Sequence, residues 1–278
     1  MSDARKVLKK IGGRKKSSSR RRSPRKNKSH KRERWEQTAL AILIAAVLIF
    51  AAYHLFFKKL FFRFAENKAT TQLQIPTGIY GIDISRYQGK IDWEELKRNN
   101  PKETPVYFVY MKASEGKDLR DPKFKSNWKK AKDHGFMRGA YHYFTEGSTG
   151  SMQANMFIKT VETAEGDLPP MVDVEEKPGD KKQFMQELKI FISKIQEHYG
   201  VKPIIYSYKK YKEQYLSEPF FNKYPLWVAH YYVSKLDDNI EWLMWQCSDI
   251  GQLPGIEENV DINIFNGTQE QFKSILIK

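Results

Sequence analysis

Short apolar runs alternate with well-punctuated helical segments from Ile79 onward, and this alternation restricts the fold of the chain more than any other feature. Ile79 to Ser85 has strand character. The following IDWEELKRNN sets Asp92 as an N-cap with Glu95 three residues on, a capping-box pattern. Val106 to Lys112 is the second expected strand. In DPKFKSNWKKAKDHG, Asp121 is placed to cap a helix, Pro122 takes its first position and Gly135 stops it. Met137 to Phe144 forms a third strand, and a helix is expected from Ser151 to Ala164, before Gly166. Met171 to Glu175 is the fourth strand, Asp180 caps a long helix that Gly200 ends, and Pro203 to Ser207 is the fifth strand. The rhythm then changes. Leu226 to Tyr231, Trp242 to Cys247 and Val260 to Ile264 read as strands whose connections are mostly too short for full helices, and a short helix from Thr268 ends the chain. About eight strands in some 200 residues, with helical crossovers, predict an α/β fold. Its form is an irregular eight-stranded (β/α) TIM-like barrel with incomplete helices after strand five. An open doubly wound sheet is the alternative, weakened because no Gly-rich phosphate loop follows the first strand.

The sequence ahead of this pattern is of another kind. The formal charge of +15 suggests a nucleic-acid binder until it is located along the chain. Residues 1–36 hold 16 Lys/Arg against 3 Asp/Glu, whereas the other 242 residues hold 32 against 30. The basicity belongs to a tail. SSSRRRSPRKNK, residues 17–28, has no apolar residues to bury and is expected to be disordered. Residues 37–57 contain no Lys, Arg, Asp or Glu, and at about 1.5 Å per residue they span roughly 30 Å of hydrocarbon. That run predicts one transmembrane helix. It is longer than the core of a cleaved signal, and the basic region before it is far longer than a signal's. Since the denser basic charge precedes the span, the N-terminus is expected in the cytoplasm of a single-pass protein of the cell membrane. The predicted organisation is a tail over 1–36, a span over 37–57, a stalk over 58–77, and a barrel over 78–278 on the periplasmic or extracellular side. The tail's expected partners are anionic lipid headgroups, with nucleic acid the less favoured alternative.

Chemistry is concentrated where acids end apolar runs. In PPMVDVEEKPGD, Asp173 and Glu175 stand two apart, which on a strand puts both on one face about 6.6 Å apart along the backbone. At the C-terminal end of a barrel strand such a pair lies where barrel enzymes work, and mutual repulsion with partial burial keeps a proton on one member. A protonated acid beside an ionised one suits glycosidic cleavage, in which one group protonates the leaving oxygen and the other stabilises developing positive charge. Asp83 in GIDISRYQG and Asp261 in ENVDINIF occupy comparable positions. Together these four acids are the candidate catalytic set. A lone D-x-E is weak, since an acidic strand end also serves as a cap or as surface charge.

Aromatic and amide residues accompany the acids: Tyr110, Lys112, Tyr141, Tyr143, Tyr206, Trp227, Tyr231, Trp245 and Gln246 are the candidate substrate contacts. Sugar faces stack on rings while acids and amides bind hydroxyls, although any single strand aromatic is more often a core residue. Lys112 and Glu115 either line the site or pair with one another. His142 and His230 receive no role, and Ser85 has no histidine partner that would make a serine hydrolase. The single cysteine, Cys247, excludes an internal disulfide, no Cys/His cluster suggests zinc, and neither metal nor cofactor is expected.

GIDISRYQGKIDW, YMKASEG, GAYHYF, MVDVEE, LWVAHY, WQCS and VDINIF, in that order over the last 200 or so residues, resemble glycoside hydrolase family 25, the Chalaropsis-type lysozymes or N,O-diacetylmuramidases. The resemblance implies an irregular barrel and a peptidoglycan muramidase that cleaves the β-1,4 bond between N-acetylmuramic acid and N-acetylglucosamine. It also implies that Glu175 is the general acid and that Asp173 orients the reacting N-acetyl group or stabilises the cation. Asp83 and Asp261 would complete the acidic mouth. Cys247 stands where many members carry tyrosine, which puts one sugar contact in question. The expected partner is the glycan strand of peptidoglycan, and a membrane tether would replace wall-binding repeats by raising effective concentration. The alternative of another class is a tethered peptidoglycan-binding module without activity.

Overall fold

The computed structural model describes residues 78–278. The predicted tail, transmembrane helix and stalk lie outside the described residues, and among the described residues no helix is long and apolar enough to cross a membrane. The sheet runs β1 (Ile79–Ile84), β2 (Val106–Glu115), β3 (Leu119–Arg120), β4 (Met137–Tyr143), β5 (Met171–Asp173), β6 (Ile204–Tyr208), β7 (Leu226–Ala229), β8 (Met244–Gly251) and β9 (Val260–Phe265). Its spatial order is β1-β9-β8-β7-β6-β5-β4-β2-β3, and a β1–β2 pairing closes the ring. Eight strands therefore make the barrel, as the alternation predicts. The two-residue β3 is an added antiparallel tongue on β2, with Leu119 opposite Glu115.

The helices are α1 (Trp93–Arg98), α2 (Phe124–Asp133), α3 (Gly150–Thr160), α4 (Lys181–Tyr199), α5 (Lys209–Tyr215) and α6 (Gln269–Ser274). Asp92 and Asp180 cap α1 and α4 as their sequence positions suggest, and Gly200 ends α4 in the left-handed conformation at φ 70°. Asp121 behaves otherwise. Its carboxylate receives the Lys123 and Arg86 N–H groups, at 2.8 Å each, so it closes a turn and α2 starts only at Phe124. The helix after the third barrel strand ends at Thr160, short of Ala164.

Two departures bear on the site. β9 runs antiparallel to both β1 and β8, unlike the parallel strands of a regular (β/α) barrel. The connection over 252–259 is too short for the crossover that a parallel pair needs, so the chain returns as a hairpin. Consequently Asp261, second in β9, lies at the same end of the barrel as Asp83, its direct partner across the β1/β9 pairing. In addition, β5 ends at Asp173, so Glu175 lies beyond the strand.

Alternation sorts the side chains. Outward residues such as Ile82, Val109, Val172 and Ile205 pack with Leu188, Phe191 and Ile192 of α4 in the layer between barrel and helices. Inward residues Ile79, Phe108, Tyr110, Met171, Ile204, Trp227, Met244 and Phe265 fill the interior. That interior is crowded. A Cβ at Gly81 would lie 2.3 Å from the Phe108 ring, and one at Gly139 would lie 2.4 Å from Tyr110. Phe272 of α6, fully buried, packs on Phe108 and Phe265 at 5.4 and 4.9 Å. The floor is closed by aromatic packing, so polar chemistry is confined to the opposite end.

Candidate active site

The upper layer of the barrel differs from the one beneath it. Asp83, Asp173, Tyr141, Tyr206, Gln246 and Asn263 point inward here, and Asp83, Asp173, Gln246 and Asn263 are buried polar groups. Asp83 Oδ2 accepts from Gln246 Nε2 and from Asn263 Nδ2, both at 2.8 Å. Gln246 Oε1 accepts from the Tyr206 and Tyr231 hydroxyls, at 2.6 and 2.5 Å, while Asn263 Oδ1 accepts from Trp227 Nε1 at 3.1 Å. The amides are thus oriented by their other contacts, and each aims an N–H at the same carboxylate oxygen.

Burial dominates the electrostatics. It raises Asp83 to about 6 against the opposing hydrogen bonds from Asn263 and Gln246. Asp261 is pushed up to about 9, first by burial and then by the charge of Asp83, so a proton shared between the two belongs to Asp261. Asp173 is raised well above the usual carboxylate range by burial, then by the charges of Glu175 and Asp83. Its Oδ1 is buried without a hydrogen-bond partner among the described residues. Glu175 is raised as well, by burial and then by Asp83, with the Tyr206 hydroxyl and Lys112 opposing. Four acids with raised proton affinity therefore act on one another at one end of the barrel, despite their separation in the chain.

The substrate candidates divide. Tyr141 sits among Asp83, Asp173 and Asp261, whose charges raise its hydroxyl further after burial. Tyr143 and Tyr231 are partly exposed at this end, and the Lys112 ammonium lies 4.6 Å from the Tyr143 ring centre. Lys112 also pairs with Glu115 at 2.6 Å, and its charge favours ionised Asp173 and Glu175. Tyr206 is nearly buried and joins the network through its hydroxyl.

Four candidates lie below the mouth or face away from it. Tyr110 has no exposed surface; its hydroxyl donates to Pro169 O at 2.9 Å and its ring packs edge-on against Trp227. Trp227 is likewise enclosed in the interior and acts by holding Asn263. Trp245 faces out of the barrel, where its indole donates to His230 O, because alternation turns it away whenever Gln246 points in. Gln246 is 2 % exposed and its amide holds Asp83 and two tyrosines, which places it in the support beneath the mouth. The question over Cys247 also resolves: the thiol is buried outside the barrel wall, near Ile262 O. It faces no mouth. Sequence reading missed Asn263, although it stands two residues after Asp261, the same spacing that drew attention to Asp173 and Glu175.

His142, left without a role, is structural. Nε2 faces Gln153 Oε1 at 3.1 Å and Nδ1 faces Ser114 Oγ at 2.8 Å, so Nε2 carries the hydrogen and Nδ1 accepts from the serine. Burial pushes it down to about 3 and keeps it neutral.

A closed barrel that brings carboxylates with raised proton affinity to the strand ends, beside tyrosines, has the makings of a glycoside hydrolase. Residues 82–256 match the profile of "Glycosyl hydrolases family 25", and the chain belongs to that family. It is 39 % identical over 208 residues to "Uncharacterized protein YegX" of Escherichia coli (strain K12), covering 73 % of this chain and 76 % of that one. It is 29 % identical to "Lysozyme M1" of Streptomyces globisporus over 69 % of each chain. Among solved structures it resembles a family 25 glycosyl hydrolase from Bacillus anthracis, with TM-score 0.63, 32 % identity and coverage of 70 % of this chain and 92 % of that one. The bacterial lysozyme from Streptomyces coelicolor gives TM-score 0.64 and 28 % identity over 72 % and 97 %. The protein is a glycoside hydrolase.

Proposed function

We propose that the protein is a membrane-anchored muramidase that hydrolyses the β-1,4 bond between N-acetylmuramic acid and N-acetylglucosamine in peptidoglycan. The observation that carries the chemistry is the Asp173/Glu175 couple: two mutually repelling, largely buried carboxyl groups with raised proton affinity at the open end of the barrel. Family membership and the resemblance to lysozymes support the substrate class.

Glu175 is the general acid. Asp173 is the deeper of the two, and a sugar laid across the mouth would strip water from the more exposed Glu175 and raise its proton affinity further. The proton then passes from Glu175 to the glycosidic oxygen as the bond to the anomeric carbon breaks. Asp173, with its free Oδ1, orients the N-acetyl group beside the reacting carbon or stabilises the positive charge that develops there. Asp83, held by two amides and leaving the shared proton to Asp261, supplies the negative field that favours an oxocarbenium-like state. Tyr141, Tyr143, Tyr231 and Lys112 are the sugar contacts.

The sequence of residues 37–57 and the basic segment before it support an anchored enzyme working on the wall from outside the cytoplasmic membrane. The tail would sit against anionic lipid headgroups. Mass spectrometry of peptidoglycan fragments tests the activity: new reducing ends should be N-acetylmuramic acid, whereas N-acetylglucosamine ends would overturn the bond assignment. Removing residues 37–57 should move the protein from the membrane fraction to the soluble one; persistence in the membrane would refute the anchor.

A further inference from the structure

Glu175 stands on backbone that the sheet no longer holds. β5 ends at Asp173, and the last bond of ladder type is Val174 N–H to Tyr206 O, at 3.0 Å. Beyond that point the carbonyls on either side of Glu175 each receive a side-chain hydroxyl. Ser207 Oγ donates to Val174 O at 2.6 Å, and the Tyr211 hydroxyl donates to Glu176 O at 2.8 Å.

Both donors are themselves fixed. Ser207 is fully enclosed on the outward face of β6, directly after the residue whose carbonyl holds Val174. Tyr211 belongs to α5, which begins immediately after β6, and its buried ring lies 5.6 Å from Tyr208 and 4.5 Å from Tyr215. From the other side, the loop after β4 binds the same segment: Glu146 N–H donates to Glu176 Oε2 at 2.6 Å, and the Glu146 carboxylate accepts from Gly179 N and Asp180 N. Side chains therefore take over where strand pairing ends.

We propose that Ser207 and Tyr211 are positioning residues for Glu175, their hydroxyls replacing the missing strand hydrogen bonds so that the carboxyl stays aimed at the glycosidic oxygen. The inference rests on Glu175 being the general acid. Both side chains are buried away from the mouth, so their effect should fall on turnover and spare substrate binding.

The test uses the full-length protein with Ser207→Ala, Tyr211→Phe and both together, digesting soluble glycan strands. Each single change should lower kcat about tenfold and the double change about a hundredfold, with KM moving less than about twofold, as expected when a reacting group is displaced by an ångström or less. Hydrogen exchange measured without substrate should quicken at the amides of residues 174–177. Tyr211→Phe keeps the ring in its packing and decides the matter alone if Ser207→Ala does not fold. Unchanged kcat, a parallel rise in KM, or unaltered exchange over 174–177 would overturn the proposal. Glu175→Gln, assayed alongside, separates the two ideas: turnover that survives this change refutes the general-acid role, while the exchange result still reports on the anchoring.

Discussion

Strands β4 and β5 carry or adjoin buried carboxylates at both ends, and the two ends treat them oppositely. At the foot, Asp167 receives Arg138 Nε and Nη2 at 2.7 and 3.0 Å and the Ala164 N–H at 2.8 Å. Arg138 Nη1 donates to the Trp128 backbone oxygen, and the guanidinium carbon lies 4.0 Å from that ring centre. The charge is paired there, and both carboxylate oxygens have partners. At the mouth, four acids face one another with Lys112 as a counterweight already shared with Glu115, and Asp173 Oδ1 has no hydrogen-bond partner among the described residues. The comparison teaches that burial does not by itself mark a working carboxylate. The working ones are those whose surroundings leave the proton in contention.

The largest expected effect breaks the mouth alone. Glu175→Gln keeps shape and removes the titratable group, and kcat should fall by about 10³-fold or more, within the upper range for loss of general acid catalysis. The melting temperature should not drop, because a raised carboxyl in a field of like charge is a burden on the fold. An assay of reducing-end release beside a thermal melt checks both halves. At the foot the pattern should invert. Arg138→Met leaves Asp167 buried and unpaired, which costs about 3–5 kcal/mol of stability. Turnover per folded molecule should stay near wild type, and a comparable loss of kcat would show that the two ends are not independent.

How far the sequence discloses this difference depends on the kind of information involved. Strand and helix positions were legible because capping and alternation are local: Asp92, Asp180, Gly200 and the apolar runs each act through neighbours. The direction of β9 was not, since it depends on the length of a single connection. The four acids could be picked out by their places at run ends, but Tyr110, Trp227 and Trp245 could not be told from sugar contacts. Whether a strand aromatic meets solvent depends on its level in the barrel and its facing, and both are set by distant strands. Gln246 shows the same limit. Its commitment to Asp83 and Tyr206 spans 163 and 40 residues of chain, respectively, which no local pattern encodes.

A pH series sharpens the comparison with a smaller effect. Asp83 rises from 3.8 to about 6 and Asp261 from 3.8 to about 9 on folding. Each binds its proton more tightly in the folded state, so the stability linked to that proton is fully present below pH 3.8 and is lost as pH climbs through the folded values. From these groups, stability to denaturant should decline between about pH 4 and 9, with both acids contributing up to about pH 6 and Asp261 alone above it. Asp261→Asn should flatten the upper part. A slope unchanged by that substitution would mean that the Asp83/Asp261 pair does not share a proton as described.

The smallest effect lies on the boundary between mouth and floor. Tyr110 pairs in register with Asp83, yet its ring is enclosed and its hydroxyl reaches down to Pro169 O. Tyr110→Phe removes one buried hydrogen bond and leaves the ring packing against Trp227 intact, so stability should fall by about 1 kcal/mol. Both kcat and KM should remain within about twofold of wild type if the hydroxyl serves the floor, a change worth less than about 0.5 kcal/mol. A selective rise in KM would instead place Tyr110 among the sugar contacts and move the boundary between the working layer and the packed one down by a full residue pair.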